Sequence, residues 1–182
     1  MTLKTMFSRI ALSAILASFL FSAFPVSAQR ARIQKSATGG VAINRDPRGA
    51  LSNDERQIHY LINNERRKQN LSDLYWDEDL ARMARAFSRQ MARESFFDHY
   101  DRDGNSVVER AQRSNIRGWS KIGENLFFCE GYGNFDALAV RGWMNSPGHR
   151  RNVLDRQFNT TGIGIAETRD GQVYITQVFT RN

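Results

Sequence analysis

The sequence predicts an α+β fold in which helices come first and a β-hairpin closes the chain. Three observations predict it. Apolar residues recur at helical spacing in successive segments after residue 51, two β-prone runs near the C-terminus flank the turn dipeptide Asp170-Gly171, and strands do not alternate with helices along the chain as a parallel sheet would require.

The first helix is expected from Leu51. Ser52-Asn53-Asp54-Glu55 has the form of a capping box, in which the Ser hydroxyl accepts from an unpaired N–H of the first turn and the Glu three residues later accepts from the Ser N–H. Ile58, Leu61, Ile62 and Glu65 then share a face, and Asn70 and Ser72 end the helix. A second helix opens at Asp77, with Glu78 and Asp79 in the first turn, where the helix dipole favours acids. Leu80, Ala84, Phe87 and Met91 form its stripe, and arginines cover the other face. A third, shorter helix starts at Ser106, with Glu109 completing another capping box. Asn134 or Asp136 begins a fourth, with Ala137, Val140 and Met144 turned inward, and Pro147-Gly148 stops it. The hairpin pairs Thr161–Ala166 with Val173–Phe179. Gly162 and Gly164 in its first run predict the close approach of another backbone or a bulky group.

The N-terminus has a different character. Lys4 and Arg9 give a positive start, an apolar run extends from Ile10 to Phe24, and Val26-Ser27-Ala28 places small residues at a signal-peptidase site. The run is shorter than the ~20 residues a bilayer-spanning helix needs, and no Cys stands near the cleavage point to carry a lipid. Residues 1–28 are therefore expected to be a cleavable secretion signal. The mature protein is then secreted or periplasmic, with no integral membrane segment. Residues 29–50 hold Arg30, Arg32, Lys35, Arg45 and Arg48 against the single acid Asp46, and are expected to form a basic, disordered leader.

That division accounts for the formal charge of +7: residues 51–182 keep 19 of the 26 basic residues and 18 of the 19 acids. A nearly neutral domain gives no support to a nucleic-acid partner. The domain is long enough to bury a core without disulfides. It must do so, because Cys129 is the only cysteine. Cys129 follows Phe127-Phe128 with no cation beside it to favour a thiolate, which predicts a buried structural thiol rather than a nucleophile.

Histidine is scarce, which narrows the search for chemistry. His59 falls off the stripe of the first helix and reads as an ordinary surface residue. His99 and His149 each read as loop residues just after a helix, in Phe96-Phe97-Asp98-His99 and Ser146-Pro147-Gly148-His149, and loops held by rigid elements concentrate functional groups. Between them, Glu124 precedes the apolar run Leu126-Phe127-Phe128, and a carboxylate entering such a run is costly to bury unless a cation or donors satisfy it. Two imidazoles and a carboxylate are a normal Zn²⁺ ligand set. Spacing alone leaves open whether the three converge or are unrelated polar residues. Asp101-Arg102-Asp103-Gly104-Asn105 hints at a calcium loop but has Ser106 and Gln112 where an EF-hand needs Gly and Glu, so it reads as a turn leading into the Ser106 cap. Trp76, Trp119 and Trp143 read as core and cleft-wall residues rather than a carbohydrate platform.

An ordered set of segments adds to this reading. Leu61-Ile62-Asn63-Asn64-Glu65-Arg66, Leu74-Tyr75-Trp76-Asp77, Phe97-Asp98-His99, Gly123-Glu124-Asn125-Leu126, Trp143-Met144-Asn145-Ser146-Pro147-Gly148-His149-Arg150 and Tyr174-Ile175-Thr176-Gln177-Val178-Phe179 occur in this order. Together they resemble the CAP superfamily of cysteine-rich secretory proteins, insect antigen 5 and plant pathogenesis-related proteins, in its bacterial form. The resemblance runs from about residue 55 to 180, nearly the whole of the domain at 51–182. It implies a three-layer α-β-α sandwich with a central antiparallel sheet, so that strands lie in segments whose own pattern shows none. It also implies a cleft in which His99, Glu124 and His149 hold a divalent cation, with Zn²⁺ the candidate, and in which Asn125, Trp143 and Ser146 line the space for a ligand. Ser146 stands where animal members carry a second Glu, three residues after the Trp, which removes one carboxylate from the set.

Two functions remain at this level. One is a non-enzymatic binding module, a monomer whose cleft holds a cation and an apolar ligand (lipid or sterol) or a peptide. The other is an extracellular Zn²⁺-dependent hydrolase in which Glu124 activates a metal-bound water. The absence of an H-E-x-x-H helix and of an evident oxyanion stabiliser favours the first.

Overall fold

The computed structural model describes residues 51–182, and the expected signal and leader lie outside them. The chain runs α1 (Asn53–Arg67), β1 (Tyr75–Trp76), α2 (Glu78–Glu94), α3 (Val107–Arg113) and β2 (Lys121–Glu130). It continues through α4 (Phe135–Asn145), α5 (Pro147–Val153), β3 (Thr160–Glu167) and β4 (Gln172–Arg181). The strands form one sheet in the order β1-β3-β4-β2. β2, β4 and β3 are antiparallel neighbours, while the two-residue β1 joins the far edge of β3 in parallel. The fold is thus mixed α and β, with helices on both faces of a mostly antiparallel sheet.

The helix starts follow their capping chemistry. Glu55 N donates to Ser52 Oγ at 3.1 Å and Ser52 N donates to Glu55 Oε2 at 3.0 Å, closing the first box, and Ser106 with Glu109 closes the second. Asp77 caps α2 by accepting from the N–H groups of Asp79 and Leu80. All four residues of the α2 stripe are buried. On α1, Ile58 and Ile62 are buried as expected, but the buried positions that follow are Asn63 and Arg66, with Glu65 half-exposed. On α4, Val140 faces the core with Phe135, Ala139 and Trp143, while Ala137 and Met144 are only half-buried.

Pro147 ends one helix and begins another. It occupies the first turn of α5, where its missing N–H would have had no partner anyway. His149 therefore sits on a helix, not in a loop.

The sheet separates two apolar layers. Val173, Ile175 and Phe179 of β4 pack against Ile58 and Ile62 of α1 and Val140 and Trp143 of α4. The alternate residues Tyr174 and Val178 pack under α2, with Phe87, Met91, Leu80 and Ala84. The period-2 geometry of a strand sends neighbours to opposite faces, so β4 is buried on both. Cys129 lies in the first layer, where burial pushes its thiol pKa up, as suits an inert core thiol.

The glycines of β3 meet the backbone of α2. A Cβ on Gly162 would collide with Ala81 N and Leu80 C, and one on Gly164 with Arg85 N and Ala84 C. Ser88 Oγ, one turn further along α2, donates to Gly164 O at 2.9 Å. Among the described residues no helix is long and apolar enough to cross a membrane.

Candidate functional site

β2 forms one edge of the sheet, and the site straddles it. His99 arrives from the segment between α2 and α3, in the layer on one face. His149 arrives from α5, in the layer on the other. Their rings meet with centroids 6.5 Å apart. Glu124, on β2 between them, lies 2.9 Å from His99 Nδ1 through Oε1. The three residues singled out in the sequence thus converge.

The surroundings explain how each is held. Glu124 is 8 % exposed, so its charge needs a partner, and Arg110 of α3 donates to its Oε2 through a guanidinium that is itself buried. The same guanidinium donates to His99 O at 3.0 Å and Asn105 O at 2.9 Å, and lies 3.5 Å over the Phe87 ring. Asn125 Nδ2 donates to His149 O at 3.2 Å. Asn152 of α5 donates to Glu124 O at 3.1 Å and Asn125 Oδ1 at 2.9 Å, lashing the helix to the strand. The hydrogen bond to Glu124 is the main cause that raises the His99 pKa above the usual imidazole value, while burial, followed by the His99 charge, lowers that of His149.

Two expected ligand-cleft residues have other parts. Asn125 and Trp143 are fully buried and do not line the cleft. Asn125 spends its amide on α5, and the Trp143 indole donates to Leu126 O at 2.8 Å beneath the strand. They carry the cleft from behind. Ser146 is half-buried at the junction of α4 and α5, and its side chain makes no capping bond.

His59 is not an ordinary surface residue. It is half-buried, with Nε2 2.8 Å from Leu74 O and its ring edge-on to Trp76 at 5.5 Å, and it ties α1 to the start of β1. The Asp101 carboxylate is spent on Asp103 N and on the backbone and side-chain amides of Asn105, as a turn requires.

As placed, the three residues do not make a three-ligand metal cage. Both Glu124 oxygens are engaged by Arg110 and His99, and among the described residues no group of three or more His, Cys, Asp or Glu is arranged to hold an ion. What the donor chemistry does fit is a grip by two imidazoles. The carboxylate on His99 Nδ1 leaves Nε2 for an ion, the usual way a carboxylate behind a metal-binding histidine orients it.

Sequence reasoning missed Arg110 and an aromatic ledge. Phe97 and Phe128 are 49 % and 38 % exposed, their rings 6.0 Å apart, and Phe128 leans on Tyr174 at 4.8 Å. Phe97 lies two residues before His99, and Phe128 points to the same face of β2 as Glu124. The run Phe96-Phe97-Asp98-His99 was the available signal. A bulky apolar pair just ahead of a loop aspartate and histidine reads as core, yet here half of it faces water.

A helical sandwich around a mostly antiparallel sheet, with two histidines meeting across its edge strand, is the architecture of an SCP domain. The chain belongs to the cysteine-rich secretory protein family, whose CAP model matches residues 59–179. It is 34 % identical over 128 residues to the uncharacterized protein YkwD of Bacillus subtilis, covering 70 % of this chain and 48 % of that one. It is 32 % identical over 126 residues to the uncharacterized membrane protein YlbC of the same organism, covering 69 % and 34 %. Among solved structures, an extracellular protein containing an SCP domain from Bacillus anthracis superposes with a TM-score of 0.60 at 33 % identity, covering 71 % of this chain and 40 % of that one. The chain thus spans less than half the length of each of these relatives.

Proposed function

We propose that this chain is an exported CAP-domain binding module, acting as a monomer, which grips a divalent cation between His99 and His149 and takes an apolar ligand along the adjoining ledge. A lipid, a sterol or an apolar peptide has the chemistry the ledge suits. The observation that carries this reading is the meeting of two imidazoles from opposite helical layers, 6.5 Å apart by their centroids, with Glu124 behind one of them. Zn²⁺ accepts nitrogen ligands and, when bound, would supply a positive point for an oxygen of the ligand. The chain's residues do the remaining work. Glu124 orients His99, Asn125 and Asn152 fix α5 and hence His149, and Phe97 and Phe128 offer apolar surface.

The hydrolase reading has less support. A general base needs an oxygen free to take a proton from water, and both oxygens of Glu124 are already hydrogen-bonded. Ser146, where a second acid would stand, brings no carboxylate to replace it. Export is supported by the signal-like residues 1–28 and by the likeness to a protein described as extracellular.

Isothermal calorimetry with Zn²⁺ tests the cation site. Wild type is expected to show one-site binding that weakens by about tenfold or more in His99→Ala and in His149→Ala. Equal heats and affinities in wild type and both variants would overturn the reading.

A further inference from the structure

We infer that Arg110 is a resident cation built into the cleft floor, which holds Glu124 away from any metal ion and so keeps an ion at the His99–His149 pair weakly held. This rests on the reading of that pair as a cation site and deepens it. The only buried residues of α3 are Arg110 and Ala111, so the helix delivers a guanidinium inward. One nitrogen donates to Glu124 Oε2, another to the carbonyls of His99 and Asn105, and the central carbon sits 3.5 Å over the Phe87 ring. A group fixed from three directions cannot swing aside to let a metal replace it. The planar fork of arginine makes this possible, since lysine offers a point charge without two-sided geometry.

The electrostatic consequence follows from charge counting. A buried carboxylate beside two imidazoles would attract a divalent ion strongly, and the guanidinium on its other oxygen cancels that charge and repels the ion at short range. Ser146 brings no carboxylate, and the further acid whose charge reaches His99, Asp98, is exposed and accepts from Tyr100 N. For Glu124 to ligate a metal, the guanidinium would have to leave and remain buried without its counter-charge, which is strongly unfavourable. The guanidinium thus offsets the Glu124 charge before any ion arrives, and the imidazoles alone hold what binds.

Calorimetric titration of Zn²⁺ into wild type, Arg110→Gln and Arg110→Lys tests this, with circular dichroism to show that each is folded. Arg110→Gln keeps a donor for Glu124 but removes the charge, and is expected to bind Zn²⁺ about tenfold more tightly or better. Arg110→Lys keeps the charge but loses the fork that fixes it, and is expected to bind with an affinity between those of wild type and Arg110→Gln. Unchanged or weaker affinity in a folded Arg110→Gln overturns the inference and leaves the imidazole pair standing as the ion site. No binding by wild type or either variant overturns both. Should Arg110→Gln fail to fold, a crystal of wild type soaked in Zn²⁺ decides: Glu124 still on Arg110 and clear of the ion supports the inference, and a Glu124 oxygen on the ion with Arg110 displaced overturns it.

Discussion

At Arg66 the chain buries a guanidinium whose hydrogen bonds all go to carbonyl oxygens. It is 1 % exposed, and it donates to the carbonyls of Ser72, Val153, Asp155 and Phe158, which joins the loop after α1 to the end of α5 and the segment that follows it. Burial pulls its pKa down, and carbonyl dipoles take the place of a counter-ion. Spacing puts Arg66 in line with Ile58 and Ile62 and leaves Arg67 off that line, but a charge in that place reads as the solvated end of the face, and a satisfied buried arginine breaks that code. Arg110 escaped notice for the same reason. His99 and His149 carry the clearest residue-level prediction. Against the ordinary value of 6.5, the His99 pKa is raised by its bond to Glu124 and that of His149 is lowered by burial. The His99 contribution to stability is complete below the unfolded value and lost as pH rises through the folded one. The neutral His149 contributes above the unfolded value, and its contribution fades as pH falls through its own depressed pKa. An NMR titration of the metal-free domain is expected to show His99 deprotonating at higher pH than His149. Coincident or reversed titrations would contradict the geometry.

At the scale of elements, α2 and β3 approach more closely than side chains normally allow. Gly162 and Gly164 on the strand face the α2 backbone around Ala81, Ala84 and Ser88, and the Ser88 hydroxyl reaches both Gly164 O and Thr176 Oγ1. Adding one methyl group there forces backbone apart, so Gly164→Ala is expected to lose about 3 kcal/mol or more of unfolding free energy. Urea denaturation measures it, and an unchanged midpoint would show that the layers can yield. This contact was legible, since glycine weakens a strand and two of them in a β-prone run point to a backbone pressed close against it. The hairpin, the capping boxes and the α2 stripe were legible too, because each is set by neighbours in sequence. β2 was not. Its ten residues mix Gly123, Asn125 and Cys129 on one face with Glu124, Leu126 and Phe128 on the other, since the edge strand serves a core and a cleft at once. That erases the alternation by which a strand is recognised. α5 was hidden by Pro147, which marks the end of α4 and the first turn of α5 equally well.

Across the whole molecule, the candidate site depends on both helical layers. The segment bearing His99 follows α2 on one face, and the helix bearing His149 follows α4 on the other, so neither imidazole can reach its partner until the sandwich has closed. Convergence of this kind cannot be read from separation along the chain, and it took the ordered family segments to suggest it. An ion held by the two imidazoles, as proposed, would therefore be linked to folding. At a free Zn²⁺ concentration of 100 times Kd the native state would gain about 2.7 kcal/mol. Differential scanning calorimetry is expected to show a rise in Tm with Zn²⁺ for wild type and none for His149→Ala. An equal rise in both would mean that the ion acts elsewhere.

Because the imidazoles hang from opposite slabs, the gap between them works as a caliper on the thickness of the protein. Gly162 and Gly164 set that thickness from β3, one of the two inner strands of the sheet, by letting α2 sink to backbone contact. A methyl group wedged under α2 would lift the slab that carries His99 and spread the jaws without touching either one.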